Sequence, residues 1–211
     1  MVNEDKTPNI ISEENQAQIF SVLARCADKV NILALVKDDN LLSERLVDFL
    51  TQLEKITDKI SIKYEIGEYE NALSPGIVLL DREEKFSGIS YSLVPAGHEL
   101  ESFILAMYNV AGAGQDIDKI LKERIMNLPK TDLKVFATLS CVLCPTVVQA
   151  CQRITSLNPN ITAGIVDLSY FPELRKKHRV MSVPAVIIND SKIIFGKKSI
   201  DEIVTHLESA L

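Results

Sequence analysis

Several features common in proteins are scarce or absent in this sequence. It contains no tryptophan, and its four cysteines in 211 residues are too few for the disulfide framework of a small secreted domain. Its net charge of -6 is not offset by any long basic run, which argues against nucleic-acid binding. No apolar run approaches membrane-spanning length, and the polar first residues do not form a signal pattern. We therefore expect a soluble, cytoplasmic, globular protein that binds neither nucleic acid nor a membrane.

The most informative motif that is present is a pair of cysteines. Cys141-Val-Leu-Cys144 follows the apolar run 135–139, which is typical of a buried strand, and precedes a helical pattern. A helix N-terminus carries a partial positive charge that favours thiolate over thiol. The order strand, CxxC, helix therefore predicts redox chemistry by the protein's own side chains.

Metal binding is the main alternative for this pair. A structural zinc ion needs four ligands, usually from two such pairs, and an iron–sulfur cluster has the same demand. The other cysteines, Cys26 and Cys151, are single and lie on apolar stripes, which is typical of small buried hydrophobic residues. No histidine lies at ligand spacing from the pair. We therefore favour a redox dithiol.

The two cysteines are expected to have different roles. Cys141, at the start of the helix, should be the more exposed thiol and should attack the substrate disulfide. Cys144, one turn further, should be buried and should resolve the mixed disulfide. Val142 and Leu143 offer no hydrogen bond or charge to the thiolate, so we expect them to present an apolar surface to a docking protein.

The chain is organised as the same unit twice. Each unit reads strand, helix, strand, then an X-Pro dipeptide leading into an apolar strand, a returning strand and a closing helix. The predicted strands are 31–36, 61–65, 77–80 and 88–93 in the first unit and 133–139, 161–166, 185–188 and 192–195 in the second. The predicted helices are 41–53 and 98–110, then 143–157, 171–177 and 200–210.

A further helix precedes each unit. Its apolar stripe comprises Ile19, Phe20, Leu23 and Cys26 in the first unit and Ile117, Ile120, Leu121, Ile125 and Met126 in the second. The whole pattern predicts an α/β protein of two tandem thioredoxin folds, each a mixed sheet with helices on both faces. We assign residues 1–113 to a fold without CxxC and residues 114–211 to a fold with the redox-active CxxC. In the first fold the matching positions fall near 38–41, which hold no cysteine.

Val183-Pro184 and Ser74-Pro75 occupy matching positions in the two units. In thioredoxin folds a cis proline lies opposite the dithiol, and the backbone before it offers strand-like hydrogen bonds to the substrate. The alternative is an ordinary proline at the start of a strand, since cis bonds are rare as a base rate. The repeated context favours a cis bond and assigns Val183 and Pro184 to substrate binding.

Dithiol exchange also needs a proton acceptor for the buried thiol. Thioredoxins commonly place an acid six residues before the first cysteine, but here that position is Val135. Glu99 is a candidate at the edge of an apolar helical stripe. A carboxylate that stabilises a helix N-terminus is the alternative, and the residues alone favour that simpler role.

With both halves in place, the chain resembles the N-terminal domain of the F component of bacterial alkyl hydroperoxide reductase. The motifs that carry the resemblance are Cys141-Val-Leu-Cys144-Pro145, the segments 147–150, 157–161 and 180–186, and Gly97-His98-Glu99. The family often has His-Asn where this chain has Val142 and Leu143. The resemblance implies two fused thioredoxin folds with one dithiol, a glutaredoxin-like protein disulfide oxidoreductase, and a role for Glu99 as the acid that reaches the dithiol.

The resemblance also implies a function and its partners. The chain would be an enzyme that passes electrons from the dithiol of a thioredoxin-reductase-like flavoprotein to a peroxiredoxin of the AhpC type. It would bind no cofactor itself, and flavin and NAD(P)H would belong to the partner reductase. Two alternatives stay open: a general protein disulfide oxidoreductase, and a binding module with structural cysteines.

Overall fold

The computed structural model describes residues 10–70 and 72–209. In chain order its elements are α1 (Glu13–Leu23), β1 (Val30–Val36), α2 (Leu41–Glu54), β2 (Ile60–Ile66), β3 (Gly76–Leu80), β4 (Phe86–Ser92), α3 (Glu99–Ala111), α4 (Lys119–Met126), β5 (Thr131–Ala137), α5 (Cys144–Leu157), β6 (Ile161–Asp167), α6 (Pro172–Lys177), β7 (Ala185–Ile188), β8 (Lys192–Phe195) and α7 (Ile200–Glu208).

Every predicted strand and helix is present, with most ends moved by one or two residues. The last helix was predicted to reach residue 210, and that end lies outside the described residues. The strands form because runs of β-branched and aliphatic residues are buried on both faces, as in the fully buried β3. The helices begin at side-chain caps where the sequence offers one, such as Asn40 before α2 and Ser199 before α7.

The predicted apolar stripes on the two leading helices are partly wrong. Phe20 on α1 is 57% exposed, and Ile120 and Met126 on α4 are 70% and 56% exposed. Helix α4 has only eight residues and buries Ile125 alone. A short helix touches the core along a narrow line, so an apolar residue 100° away from that line stays in solvent.

The strands form one eight-stranded sheet in the order β2-β1-β3-β4-β6-β5-β7-β8. Four strands come from each half, and the parallel pairing of β4 with β6 joins them, with Ser90 opposite Gly164 and Tyr91 opposite Ile165. Each half has the mixed strand arrangement of a thioredoxin fold, which confirms the predicted fold class. The division at residue 113 stays a prediction, because one sheet and one apolar core extend across both halves.

Strand directions determine where the functional residues meet. Strands β1 and β2 are parallel, β3 is antiparallel to both β1 and β4, and β4, β6 and β5 are parallel. It follows that β1, β2, β4, β5 and β6 all end at the same edge of the sheet. We call this the carboxyl edge, and ligands of α/β sheets bind at such edges.

Helices α3 and α5 pack beside each other against the sheet where the two halves join. The ring of Phe103 on α3 meets Tyr91 of β4 edge-on with centroids 5.0 Å apart, and it meets Phe49 of α2 at 5.9 Å. Gly88 brings β4 close to the second half. A Cβ atom there would lie 2.7 Å from Thr155 Cγ2 and 2.9 Å from the Ile161 carbonyl oxygen.

We predict that Gly88→Ala destabilises the protein far more than Gly196→Ala. Both glycines have positive φ, at 91° and 79°, so alanine costs about 1 kcal/mol of backbone strain at either position. Only at Gly88 must the second half also move away, at a further cost of roughly 2 kcal/mol. Urea unfolding of both variants measures the difference. Equal losses would show that the two halves are not closely packed at this point.

Candidate active site

The dithiol lies at the carboxyl edge, in the turn between β5 and α5. Strand β5 is anchored by the fully buried Val135, Phe136 and Ala137. The Cys141 N–H donates to the Thr138 carbonyl at 3.0 Å, which closes the turn. Because Pro145 occupies the first turn of α5, its missing N–H costs no helical hydrogen bond.

Cys141 and Cys144 form a disulfide with their Cα atoms 5.5 Å apart. Cys144 is fully buried, whereas Cys141 is half-buried. The sequence placed Cys141 at the start of the helix, but α5 begins at Cys144. Cys141 therefore sits just ahead of the helix N-terminus, where free backbone N–H groups favour a thiolate. The relative exposure matches the attacking and resolving roles, which stay predictions.

Exposed apolar side chains between the two cysteines form an apolar rim at the dithiol turn. Val142 and Leu143 are 69% and 46% exposed, and Met181 is 86% exposed. The sequence predicted the first two and missed Met181, whose only signal was its place two residues before Val183. Two large apolar side chains exposed between the paired cysteines are typical of a surface that a protein covers.

Val183–Pro184 and Ser74–Pro75 are both cis peptide bonds, as the repeat predicted for the first of them. Pro184 immediately precedes β7, whose Ala185 lies opposite Phe136 of β5. The cis bond thus lies beside the end of the strand that leads to Cys141. Val183 is half-buried and Pro184 is buried. Their assignment to substrate binding is compatible with this position and stays a prediction.

Glu99 occupies the first position of α3 and is fully buried. Neither of its carboxylate oxygens has a hydrogen-bond partner within the described part of the chain. Burial raises the pKa of Glu99 to about 7, and the neighbouring Ser102 side chain opposes the rise only in part. The sequence placed Glu99 at the edge of a stripe, whereas the structure encloses it.

The loop before α3 brings Glu99 towards the dithiol turn. A Cβ atom on Gly97 would lie 3.6 Å from the carbonyl oxygen of Leu139, two residues before Cys141. This contact joins the first half to the dithiol turn of the second. The carboxyl group of Glu99, two residues after Gly97, has a pKa near neutral pH, which is typical of a functional site.

Sequence reasoning missed a buried polar cluster formed by Tyr91, Glu99, Ser102 and Gln152. Gln152 Nε2 donates to the Tyr91 hydroxyl, which donates to the Ser102 carbonyl at 3.4 Å. Burial first, and then the charge of Glu99, raise the pKa of Tyr91 well above its usual value, and Gln152 lowers it in part. Gln152 lies two turns after Cys144 on α5, and that spacing was the only available signal.

The remaining cysteines have structural environments. Burial raises the pKa of Cys151 to about 12, and it also raises the pKa of Cys26, against the opposing charges of Lys59 and Arg25. Both are therefore thiols at neutral pH and poor nucleophiles. In the first half the positions matching the dithiol turn are taken by a cap, where Asn40 Oδ1 accepts from the Ser43 N–H at 3.0 Å.

The described residues contain neither a cluster of metal ligands nor a membrane-spanning helix. Within residues 10–70 and 72–209, no group of three or more His, Cys, Asp or Glu side chains is arranged to hold a metal ion. None of the helices in that same part of the chain has both the length and the apolar character needed to cross a bilayer.

Comparison with known proteins gives consistent similarities. The family described as Thioredoxin domain matches residues 131–208. The F component of alkyl hydroperoxide reductase in Pseudomonas aeruginosa is 28% identical over 92% of this chain, and that in Staphylococcus aureus is 26% identical over 95%. The chain spans only 36% and 38% of the length of these two relatives.

Solved structures are similar over nearly the whole chain. The NTD_N/C domain of alkylhydroperoxide reductase AhpF from Enterococcus faecalis is 37% identical, with a TM-score of 0.87, covering 93% of this chain and 99% of that one. A protein disulfide oxidoreductase from Aeropyrum pernix has a TM-score of 0.81 at 19% identity, covering 95% of this chain and 93% of that one, and shares the fold.

We predict that Glu99 makes the protein less stable as the pH rises. Its pKa is about 7 in the folded state against 4.5 when unperturbed, so the folded state holds the proton more tightly than the unfolded chain does. Its contribution is therefore fully present below pH 4.5 and is lost between pH 4.5 and 7, by about 3 kcal/mol.

The measurement compares free energies of unfolding of the parent and Glu99→Gln across this pH range. The difference between them should change by about that amount. Glu101→Gln, on the same first helical turn but exposed, is the matched control and should follow the parent. Parallel curves for the parent and Glu99→Gln would contradict the prediction.

Proposed function

The chain belongs to the alkyl hydroperoxide reductase F (AhpF) family, as its N-terminal region, and is a thiol–disulfide oxidoreductase; from this we propose that it relays electrons from a flavoprotein dithiol to a peroxiredoxin. The observation that carries the proposal is the half-exposed Cys141 bonded to the fully buried Cys144, in a chain 37% identical to an AhpF N-terminal domain over 93% of its length.

Each relay cycle moves two electrons and two protons. In the reduced protein, the Cys141 thiolate attacks one sulfur of the peroxiredoxin disulfide, forms a mixed disulfide and expels the other sulfur as a thiolate. Cys144 then loses its proton and attacks the Cys141 sulfur, which releases the second peroxiredoxin thiolate and leaves the Cys141–Cys144 disulfide. The dithiol of the flavoprotein reverses these steps on this chain. Flavin and NAD(P)H belong to that donor, and we place the reaction in the cytoplasm.

Substrate docking uses the apolar rim and the cis-proline segment. Val142 and Leu143 flank the attacking sulfur and offer apolar area that a partner can cover. The backbone of Val183, just before Pro184, would pair with an extended segment of the partner that carries the disulfide. This arrangement puts the substrate sulfur beside the exposed Cys141 rather than beside Cys144.

Glu99 supplies the proton acceptor that position 135 does not. Because Val135 occupies the position where thioredoxins commonly have an acid, the carboxylate must come from elsewhere in the fold. The pKa of Glu99, about 7, lies near the value at which a general base works best at neutral pH. Glu99 takes the Cys144 proton in the resolving step and returns it when the dithiol is reduced again.

We predict distinct outcomes for the two cysteines. Cys141→Ser should abolish reduction of a peroxiredoxin disulfide, because the attacking sulfur is lost. Cys144→Ser should accumulate the mixed disulfide, because no thiol resolves it. Non-reducing gels and thiol titration with oxidised AhpC-type peroxiredoxin measure both, and Cys151→Ser is the matched control with full activity.

Two results would count against the relay. If Cys141→Ser reduced the peroxiredoxin as fast as the parent, the assigned attacking thiol would be wrong. Rapid reduction of insulin disulfides with no turnover of peroxiredoxin would instead support a general protein disulfide oxidoreductase. Unchanged partner binding after loss of both cysteines, with no thiol transfer by the parent, would support a binding module.

We predict that Glu99→Gln slows the resolving step about tenfold or more above pH 7, where the parent carboxylate is ionised and can accept a proton. Below pH 6 the two proteins should converge, because the parent Glu99 is then protonated. Stopped-flow measurement of peroxiredoxin reduction against pH tests this, with Glu101→Gln as the control. An identical pH profile for Glu99→Gln would leave Glu99 with a structural role only.

A further inference from the structure

The two outermost strands of the sheet, β2 and β8, differ in length and in what they expose. Strand β8 at one edge has four residues, whereas β2 at the other has seven. Val30 of β1 donates to the Lys59 carbonyl just before β2 at 2.8 Å. Since backbone directions alternate along a strand, the N–H and C=O groups of Ile62, Tyr64 and Ile66 point away from β1. A long edge with such a row of groups is a template for pairing with another strand.

The side chains of β2 separate apolar groups from charged groups. Ile62, Tyr64 and Ile66 alternate onto the face that α2 covers, and Tyr64 and Ile66 are 41% and 72% exposed. Lys63 and Glu65 alternate onto the other face and are exposed. The Lys63 ammonium pairs there with Glu84 at 2.5 Å, and both side chains are 55% exposed. Exposed pairs of this kind contribute little to stability, so replacing Glu84 by another carboxylate as the partner of Lys63 costs little.

We propose that β2 pairs antiparallel with β2 of a second copy of this chain, with Tyr64 on the two-fold axis. In that register Tyr64 lies opposite its own copy and Ile62 lies opposite Ile66 in both directions. All of these residues have outward backbone groups, so each opposed pair exchanges two hydrogen bonds. The apolar side chains meet on the α2 face, and Lys63 lies opposite Glu65 on the other.

The charge pattern selects this register among its neighbours. Centring the pair on Lys63 would put two ammonium groups directly opposite each other, and centring it on Glu65 would do the same with two carboxylates. Both groups belong to the non-hydrogen-bonded pairs, where opposed side chains are closest and like charges are most unfavourable. With Tyr64 at the centre, two Lys63–Glu65 pairs form, one on each side of the axis.

The same complementarity argues for a second copy over a different protein. A two-fold pairing uses one patch on both copies, so a strand that matches itself in charge, apolar side chains and backbone groups satisfies the whole contact. The strand Ile60–Ile66 has this self-complementary order, with Lys63 and Glu65 on either side of Tyr64 and apolar residues at 62 and 66.

Charge variants test the proposed dimer by sedimentation equilibrium of the full chain from micromolar to millimolar concentration. The parent should show a monomer–dimer equilibrium. Glu65→Lys should weaken the dimer by about tenfold or more, because two attractive pairs become repulsive. Adding Lys63→Glu to it should restore the affinity with the charges exchanged. Glu123→Lys, exposed on α4 in the second half, changes the net charge equally and should leave dimerisation unchanged.

Cross-linking tests the register in a Cys141→Ser, Cys144→Ser background, where the remaining cysteines are buried. Tyr64→Cys should form an intermolecular disulfide rapidly, because opposed Cα atoms in this pair lie about 5.5 Å apart. Lys63→Cys should form this disulfide slowly, because position 63 lies opposite position 65 of the second copy and only diagonally from position 63. A parent that stays monomeric, or a dimer that is insensitive to Glu65→Lys and does not cross-link at position 64, would overturn the proposal.

Discussion

The parallel pairing of β4 with β6 is the contact on which the rest of the structure depends. It joins two four-stranded sheets into one of eight strands. Because the pairing is parallel, the strands leading to the dithiol turn and to α3 end at the same edge. An antiparallel junction would have put these ends on opposite sides of the molecule, and Gly97 could not have met Leu139.

The junction also creates the environment of Glu99. Helix α3 comes from the first half and α5 from the second, and their packing removes Glu99, Ser102 and Gln152 from water. A buried carboxyl group costs free energy when it is charged in such a place. Proteins have a small total stability, so a buried carboxyl group with this cost is more readily explained by a chemical role than by a contribution to stability. The half without the CxxC pair thus contributes the buried Glu99.

Much of the fold could be predicted because local patterns were strong. Apolar runs predicted every strand, and helical apolar periodicity predicted every helix. The recurring X-Pro-apolar order indicated the duplication. The errors fell where packing decides the outcome. Phe20, Ile120 and Met126 have helical periodicity, yet they lie in solvent because their helices meet the core along a narrow line. Met181 and Gln152 were missed because exposure and long-range hydrogen bonding leave no local signal.

The sequence by itself determined the chemistry of the thiols. Two cysteines three residues apart between a buried strand and a helix indicated one sulfur near a helix N-terminus and the other inside, although α5 begins only at Cys144. Only the tertiary structure decided that Glu99 is buried. Glu99 precedes Cys141 by 42 positions, and its raised pKa depends on how tightly two separate helices exclude water. Desolvation is a property of the assembled fold, so no pattern within the first half alone could reveal it.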